Sequence, residues 1–325
     1  MTMEIVTHQE HELGAFVKLP AAISGAGKKA GIRFIEFFTA NIRNPNTRRA
    51  YFRATSDFFA WCEGLGLQEL EKIQPVHVAA YLEHLRQTHA APSVKQHLAA
   101  VRMLFDWLVV GQVMPTNPAH SVRGPKHVVK RGKTPVLSNE ETRDLLDSIS
   151  TTSVVGLRDR ALIGLMTYTF ARVSAATAMN VEDYYPQGRR WWVRLHEKGG
   201  KRHEMPAHHN LDTYLAAYIE KADIGEEKKQ PLFRTAIGKT RKLTTEPMSQ
   251  PDVYRMIRRR ALQAGIKTTV CCHSFRAIGI TAYLKNGGKL EIAQHMAAHE
   301  SARTTGLYDR RDDQVTLDEV ERIVI

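Results

Sequence analysis

A proline-rich, basic segment at residues 115–135 limits most strongly what this chain can fold into. It contains four prolines and five Lys or Arg residues, and it has no Asp or Glu. Proline and glycine keep such a segment extended, and a charge of one sign suits it to lie along phosphates. The segment predicts a basic linker between a domain at residues 27–114 and a second domain at residues 136–325. Residues 1–26 remain as an N-terminal extension.

The composition indicates a globular protein with a polyanionic partner. A length of 325 residues and a hydrophobic content of 43% suffice for two domains with their own cores. Taken alone, the formal net charge of +12 favours nucleic acid only modestly over ribosomal-type or membrane-surface binding. The three cysteines lack C-x-x-C spacing, which favours reduced thiols over a disulfide frame or a zinc site. We expect no metal.

The chain shows no signal for export or for a membrane. No apolar run approaches the ~20 residues that a membrane span needs. The N-terminus lacks the basic start and apolar core of a secretion signal. We therefore expect a cytoplasmic protein.

Helical periodicity predicts a four-helix bundle in residues 27–114, with Asn46 as the cap of the second helix. Apolar residues recur at helical spacing in four segments, at about residues 28–41, 46–62, 75–87 and 93–111. Short polar joints between such segments are typical of an all-α domain. Arg48 and Lys95 lie opposite the apolar stripes, where a solvated surface and a DNA-facing surface are both open.

The second domain is expected to combine helices with a small β-sheet. Ser138 and the acids after it predict a helix start, and residues 159–170 are apolar nearly all round, as in a buried helix. Residues 189–206 alternate around Gly199-Gly200, which predicts a β-hairpin. The expected fold class is therefore mainly α with a small β-sheet (α+β), formed by an all-helical N-terminal domain and a mixed catalytic domain.

The remainder of the second domain is predicted to be helical after an irregular polar loop at residues 223–248. A helix at residues 249–264 carries a run of arginines, for which a soluble face and DNA contact are equally open. The last predicted helix occupies residues 315–325. Eight basic residues of the whole chain are predicted to contact DNA: Arg48, Lys95, Lys130, Arg131, Lys133, Arg255, Arg258 and Arg259.

The residues that could carry chemistry concentrate in the last quarter of the chain. The sequence reads H-S-F-R at residues 273–276 and H-E-S-A-R-T-T-G-L-Y at residues 299–308. A tyrosine hydroxyl has a pKa of ~10, so its attack on a phosphodiester needs a proton acceptor and a partner for the developing charge. Arg276 can bind two phosphate oxygens, and His273 and His299 can move protons near neutral pH. These residues form a coherent site if the fold brings Tyr308 to them.

This arrangement resembles that of the tyrosine recombinases, the phage integrase family. The family has a further arginine after an R-D-R-A-L-like run, and Arg172 stands there in L-R-D-R-A-L-I-G-L-M-T-Y-T-F-A-R-V-S. It also carries a lysine on a tight hairpin, which Lys198 in H-E-K-G-G-K-R matches. Alanine at 175 replaces the usual glutamate, so the positions of the arginines must depend on other groups. Ala297-Ala298 replaces the usual leucine-glycine.

The resemblance implies a site-specific DNA recombinase, a metal- and ATP-independent strand transferase without a cofactor. Tyr308 would form a 3′-phosphotyrosyl link. Arg172 and Arg276 would clamp the nonbridging oxygens with help from His299. His273 would accept the tyrosine proton, and Lys198, with Lys201 as its near competitor, would protonate the leaving 5′ oxygen.

The expected partner is double-stranded DNA, with a homotetramer on paired sites as the working form. The helix at residues 315–325 would dock on a neighbouring subunit or pack on its own domain. The resemblance does not specify accessory proteins. Three alternatives are a type IB topoisomerase, a catalytically silent DNA-binding protein on the same fold, and an RNA-binding structural protein. The last would leave the ordered motif unexplained.

Overall fold

The computed structural model describes residues 19–129, 132–197, 200–238, 240–309 and 320–321, with Lys201 described by its backbone alone. The chain divides into two compact units, Met1–Val128 and Val129–Ile325. This division lies within the basic segment at residues 115–135. Most described elements are helices and the sheets are small, so the predicted fold class is confirmed.

The first unit is helical in all of its described elements. Its α-helices are α1 (Ala21–Gly25), α2 (Lys28–Glu36), α3 (Pro45–Gly64), α4 (Pro75–Arg86) and α5 (Ala91–Val110). A π-helical turn, Phe37–Asn41, continues α2. Asn44 caps α3, because its side chain accepts from the backbone N–H groups of Asn46 (2.9 Å) and Thr47 (3.2 Å). The predicted cap at Asn46 is therefore two residues late.

Aromatic side chains form much of the core of the first unit. Phe58 and Phe59 of α3 contact Phe105 of α5 edge to face, with ring centroids 5.9 and 6.3 Å apart. Ala22 and Ile23 of α1 are fully buried in the same core. The first unit thus begins before residue 27, and the predicted extension is too long at its C-terminal end. Residues 1–18 lie outside the described part.

The first part of the predicted linker is bound to the first unit. Arg102 of α5 donates to the carbonyl oxygens of Ala119 (3.2 Å) and Val122 (2.6 Å). The Asn117 amide donates to Asp106 (2.6 Å). Of the three predicted DNA contacts in the linker, Lys133 is exposed, while Lys130 and Arg131 lie outside the described residues.

The second unit contains helices around a three-stranded sheet. Its α-helices are α6 (Asn139–Asp147), α7 (Val154–Tyr168), α8 (Val173–Thr177), α9 (His209–Ala222), α10 (Gln250–Gln263), α11 (Cys272–Lys285), α12 (Leu290–Met296) and α13 (Ala302–Gly306). Ser138 caps α6 together with Glu141, as predicted. The predicted helix at 315–325 lies outside the described residues, apart from positions 320 and 321.

The predicted hairpin is confirmed as part of an antiparallel sheet. Strands β1 (Tyr184–Gln187), β2 (Arg190–Glu197) and β3 (Lys201–Pro206) pair in the order β1-β2-β3, with Glu197 opposite Lys201. Strands β4 (Arg234–Ala236) and β5 (Leu243–Pro247) form a separate pair inside residues 223–248. The prediction of an irregular loop there is wrong, because strands this short carry little alternation by which to recognise them.

A close approach of two helices positions the reactive segment of the second unit. A Cβ atom on Gly279 of α11 would lie 2.0 Å from the carbonyl oxygen of Thr167 in α7. Only glycine allows the two backbones to come this near. The contact brings the start of α11, with His273 and Arg276, toward the chain that follows α7 and carries Arg172. No described helix is long and apolar enough to cross a membrane.

Candidate active site

Five of the six predicted catalytic residues lie in described parts of the second unit. Arg172 precedes α8, His273 and Arg276 occupy the first turns of α11, His299 follows α12 and Tyr308 follows α13. Lys198 lies between β2 and β3, outside the described residues. Charge and hydrogen-bond interactions connect the five described residues, as set out below. The tertiary fold thus assembles them from segments far apart in the chain.

Tyr308 is held at both its backbone and its ring. Its side chain is buried and its hydroxyl shares a hydrogen bond with Nε2 of His273. The ring stacks on that of His299, with centroids 5.6 Å apart and planes inclined by 11°. The Thr281 hydroxyl donates to the Tyr308 carbonyl oxygen (2.9 Å). These contacts leave the tyrosine little freedom to turn away from the two histidines.

Arg276 is the most deeply buried charge of the site, with 1% of its surface exposed. It donates to the carbonyl oxygens of Phe170 and Ala297. Its Nε makes no hydrogen bond within the described part of the chain. Burial, followed by the charge of Arg172, lowers the pKa of Arg276 to about 10, so the guanidinium stays protonated at neutral pH. A buried cation held by neutral carbonyls is a strong anion-binding group.

The two carbonyls that hold Arg276 belong to unusual turns. Phe170 has a φ of 56°, and Ala298, which follows the second carbonyl, has a φ of 46°. Left-handed φ values cost non-glycine residues free energy and occur mainly where the surroundings enforce them. Ala298 stands where the sequence comparison with the family expects glycine. The site therefore tolerates a strained backbone next to His299.

Arg172 is paired with a carboxylate that the sequence analysis did not single out. Its Nη1 donates to Oε2 of Glu197, the last residue of β2. The Glu197 side chain is 3% exposed, whereas that of Arg172 is 32% exposed. Ala175 is buried in the apolar core. The sequence analysis expected the positions of the arginines to depend on groups other than residue 175, and the ion pair with Glu197 is such a group.

Both histidines of the site are neutral at neutral pH. Burial, then the charges of Arg276 and Arg172, lowers the pKa of His273. The same causes lower the pKa of His299 to about 3. Burial raises the pKa of Tyr308, although the two arginines oppose this rise. The resting site thus holds a protonated phenol beside a neutral imidazole that can accept its proton.

Three supporting residues escaped the sequence analysis. Glu197 holds Arg172, the fully buried Thr305 hydroxyl lies 2.9 Å from Nδ1 of His299, and Thr281 holds the Tyr308 backbone. The sequence shows that Thr305 lies six residues after His299, between the histidine and the tyrosine. Its contact was not, because a threonine in a polar stretch normally faces solvent.

The predicted DNA contacts differ in how available they are. Lys95, Lys133, Arg255 and Arg258 are exposed. The Arg48 guanidinium donates to the Ile42 carbonyl oxygen (2.9 and 3.1 Å), so this arginine also stabilises the end of the π-helical turn. Its predicted contact with DNA stays a prediction.

The arginine run of α10 is shared between structure and surface. Asp159 of α7 is completely buried and binds Arg158, Arg260 and Arg259 at 2.6, 2.8 and 3.3 Å. Arg259 therefore has a structural contact in addition to its exposed surface. A cavity of about 690 Å³ beside this network is lined by five arginines, namely Arg158, Arg241, Arg255, Arg259 and Arg260. Such a cavity favours anions.

The sequence matches two models of one family. Residues 135–315 match the phage integrase family, and residues 33–111 match the phage integrase N-terminal SAM-like domain. The chain belongs to the phage integrase family. Tyrosine recombinase XerC of Chlamydia muridarum (strain MoPn / Nigg) is 29% identical over 229 residues, which cover 70% of this chain and 69% of the relative. The chain described here is therefore a DNA breaking-and-rejoining enzyme of the tyrosine recombinase type.

Solved structures agree with the fold of this family member. XerH site-specific recombinase bound to difH substrate has a TM-score of 0.68 at 17% identity, covering 94% of this chain and 98% of that one. A lambda integrase tetramer bound to a Holliday junction has a TM-score of 0.65 at 19% identity, covering 88% of this chain and 78% of that one.

Within the described residues, no group of three or more His, Cys, Asp or Glu side chains could hold a metal ion.

Replacing Ala298 by glycine should stabilise the protein. The φ of 46° is strained for alanine and free for glycine, so we expect Ala298→Gly to raise the free energy of unfolding by about 1 kcal/mol. Urea unfolding measures this change. The neighbouring Ala297→Gly is the control and should lower stability, since Ala297 has an ordinary φ of −80° and a buried methyl group. Equal losses in both variants would contradict the argument.

Acid should destabilise the protein through His299. Its pKa is about 3 when folded against 6.5 as the ordinary value, so below pH 6.5 the unfolded chain binds a proton that the folded chain does not. Stability is therefore complete above pH 6.5 and is lost as the pH falls toward 3. Between pH 7 and 4.5 we expect His299 to account for a loss on the order of 2 kcal/mol.

Urea unfolding of His299→Gln at pH 7 and at pH 4.5 measures this contribution. Between these two pH values the variant should lose about 2 kcal/mol less unfolding free energy than the native protein. The exposed His120 of the first unit supplies the matched control, and His120→Gln should lose as much stability in acid as the native protein. An identical acid loss in the native protein and in His299→Gln would rule out this role of His299.

Proposed function

We propose that this chain is a site-specific DNA recombinase in which Tyr308 cuts and rejoins DNA strands through a 3′-phosphotyrosyl intermediate. The observation that carries the proposal is the hydrogen bond between the Tyr308 hydroxyl and Nε2 of His273. The charges of Arg172 and Arg276 act on both of these groups. A nucleophile, its base and two cations for a phosphate are the parts that phosphoryl transfer needs.

In the cleavage step, the Tyr308 oxygen attacks the phosphorus and its proton passes to Nε2 of His273. The bond from phosphorus to the 5′ oxygen breaks, and that oxygen receives a proton from Lys198 to leave as a hydroxyl. Since the pKa of Tyr308 is raised and that of His273 is lowered, the proton moves as the oxygen–phosphorus bond forms and not before. This coupling keeps the tyrosine unreactive until a phosphate is bound.

The cations stabilise the charge that grows on the phosphorus centre. Arg276 is preorganised by two carbonyls, and Arg172 keeps a third of its side chain exposed for a bound phosphate. His299 is neutral and donates a hydrogen bond from Nε2 when Nδ1 accepts from Thr305. Groups fixed in advance stabilise a transition state without reorganising, which is the largest contribution in many enzymes.

Strand exchange follows when a 5′ hydroxyl of a partner duplex attacks the phosphotyrosyl bond and releases Tyr308. The energy of the broken bond is kept in the link, so the reaction needs no ATP. Two duplexes with two strands each require four sites, and we propose a homotetramer on paired DNA, as in the lambda integrase complex with a Holliday junction. The segment 315–325 would connect neighbouring subunits. The enzyme would act on nucleoid DNA in the prokaryotic cytoplasm.

Two other functions use the same fold. A type IB topoisomerase would rejoin the same strand, but the match of residues 33–111 to the phage integrase N-terminal domain favours recombination. A silent DNA-binding protein would not need a buried tyrosine joined to a neutral histidine. We infer that the DNA surface of the second unit includes Arg255 and Arg258 of α10, with Arg259 as a partial contributor.

Replacing Tyr308 by phenylalanine should abolish covalent attachment to DNA. The variant lacks the attacking oxygen but keeps the ring that stacks on His299, so DNA binding should stay within a few-fold of native. A pool of nicked duplexes incubated with each protein and run on a denaturing gel measures this. The native protein should give a protease-sensitive band, and the DNA in that band identifies the target site.

Tyr283→Phe is the matched control for this experiment. Tyr283 packs against the apolar cluster that contains Tyr308, and it has no assigned catalytic role. It should give the native band. A band that persists in Tyr308→Phe would identify another nucleophile. Tight binding without a band in the native protein would favour the silent DNA-binding function.

Two arginines of α10 should separate DNA binding from stability. Arg258 is exposed, so Arg258→Gln should leave stability unchanged and reduce the slope of log K against log salt by about 0.9. Arg260 binds the buried Asp159, so Arg260→Gln should cost about 2 kcal/mol of unfolding free energy. Salt titrations of DNA binding and urea unfolding measure the two effects. A loss of stability in Arg258→Gln and a smaller salt slope in Arg260→Gln at native stability would refute this assignment of roles.

A further inference from the structure

The buried carboxylate of Glu197 is the counter-ion of the arginine pair. Its side chain is 3% exposed and accepts from Nη1 of Arg172, which leaves four other N–H groups on that guanidinium. A carboxylate this deeply buried is stable only with a charged partner. No other carboxylate forms an ion pair with Arg172 or Arg276 within the described part of the chain.

The influence of Glu197 extends beyond Arg172. The two guanidinium groups repel each other, and the charge of Glu197 opposes that repulsion at Arg276. Its charge also opposes the lowering of the pKa of His203 on β3, which burial causes in the first place. The carboxylate of Glu197 thus offsets one of the two positive charges of Arg172 and Arg276.

The position of Glu197 in the chain connects two parts of the site. It ends β2, directly before Lys198, and pairs in the sheet with Lys201 at the start of β3. The strand itself is fixed by Val193 and Leu195, which are buried in the main core of the second unit. The ion pair therefore joins Arg172 to the last residue of β2, which directly precedes the candidate general acid Lys198.

We propose that Glu197 is a positioning residue for strand cleavage, an inference that rests on the function proposed above. Its carboxylate orients Arg172 so that the remaining donors meet the phosphate. This contact supplies the negative charge that the alanine at position 175 does not. Glu197 does not touch the reacting atoms.

The test compares Glu197→Gln, Glu197→Asp and Glu204→Gln with the native protein. Glu204 is the matched control, since this exposed carboxylate lies on the adjacent strand and also pairs with an arginine, Arg194, at 2.7 Å. The duplex recovered from the Tyr308-dependent covalent band is the probe. The measurements are the affinity over a range of salt, the single-turnover cleavage rate at saturating protein, and the melting temperature.

We expect Glu197→Gln to bind the duplex at least as tightly as native, with a salt slope steeper by about 0.9 because one more positive charge is unpaired. Its cleavage rate should fall by about 100-fold, since a misplaced phosphate clamp disturbs the attack geometry. Glu197→Asp keeps the charge and should recover part of that rate. Glu204→Gln should cleave at the native rate.

A folded Glu197→Gln variant that cleaves at the native rate would overturn this inference and leave the proposed function intact. So would a Glu197→Asp variant that folds as stably as native and yet cleaves no faster than Glu197→Gln. If Glu197→Gln does not fold, Glu197→Asp decides, because a rate below native at native stability supports the positioning role and a native rate overturns it. The absence of any Tyr308-dependent band in the native protein would instead refute the proposed function, and this inference with it.

Discussion

The buried guanidinium of Arg276 is the group on which the geometry of the site depends. A cation with 1% exposure needs hydrogen-bond partners inside the protein. Arg276 donates to the carbonyl oxygens of Phe170 and Ala297, while its Nε makes no hydrogen bond within the described part of the chain. These carbonyls belong to segments 106 and 21 residues away in the chain. One side chain therefore joins the end of α7, the start of α11 and the turn before His299. The strained φ values at Phe170 and Ala298 are explained by this requirement, because the turns must aim their carbonyls at the cation.

The two arginines also determine the protonation states of their neighbours. Burial and two nearby positive charges lower the pKa values of His273 and His299, so both rings are neutral when DNA arrives. A neutral His273 can accept the tyrosine proton, whereas a charged one could not. Glu197 limits the repulsion between the cations and keeps Arg172 in place without occupying all of its donors. The carboxylate lies at the end of β2 and not on the helix after Arg172, so the ion pair joins Arg172 to the sheet.

The basic character of the chain serves more than one purpose. Arg158 and Arg260 neutralise the buried Asp159 and so stabilise the packing of α10 on α7. Arg258, on the same helix, is exposed and remains available to a polyanion. A run of arginines in a sequence therefore combines residues with opposite roles, and mutational effects along α10 should differ by residue for this reason.

The sequence alone determined the family resemblance, the α+β class, most helix positions and the hairpin, because these depend on local periodicity and on side chains at characteristic offsets. Arg172, His273, Arg276, His299 and Tyr308 could be named for the same reason. The contacts of Glu197, Thr305, Asp159 and Arg48 were decided only by the tertiary structure. An acid, a threonine or an arginine in a polar stretch looks like a solvated surface residue. Whether it is buried beside a charge depends on contacts between segments distant in the chain, such as the 25 residues that separate Arg172 from Glu197.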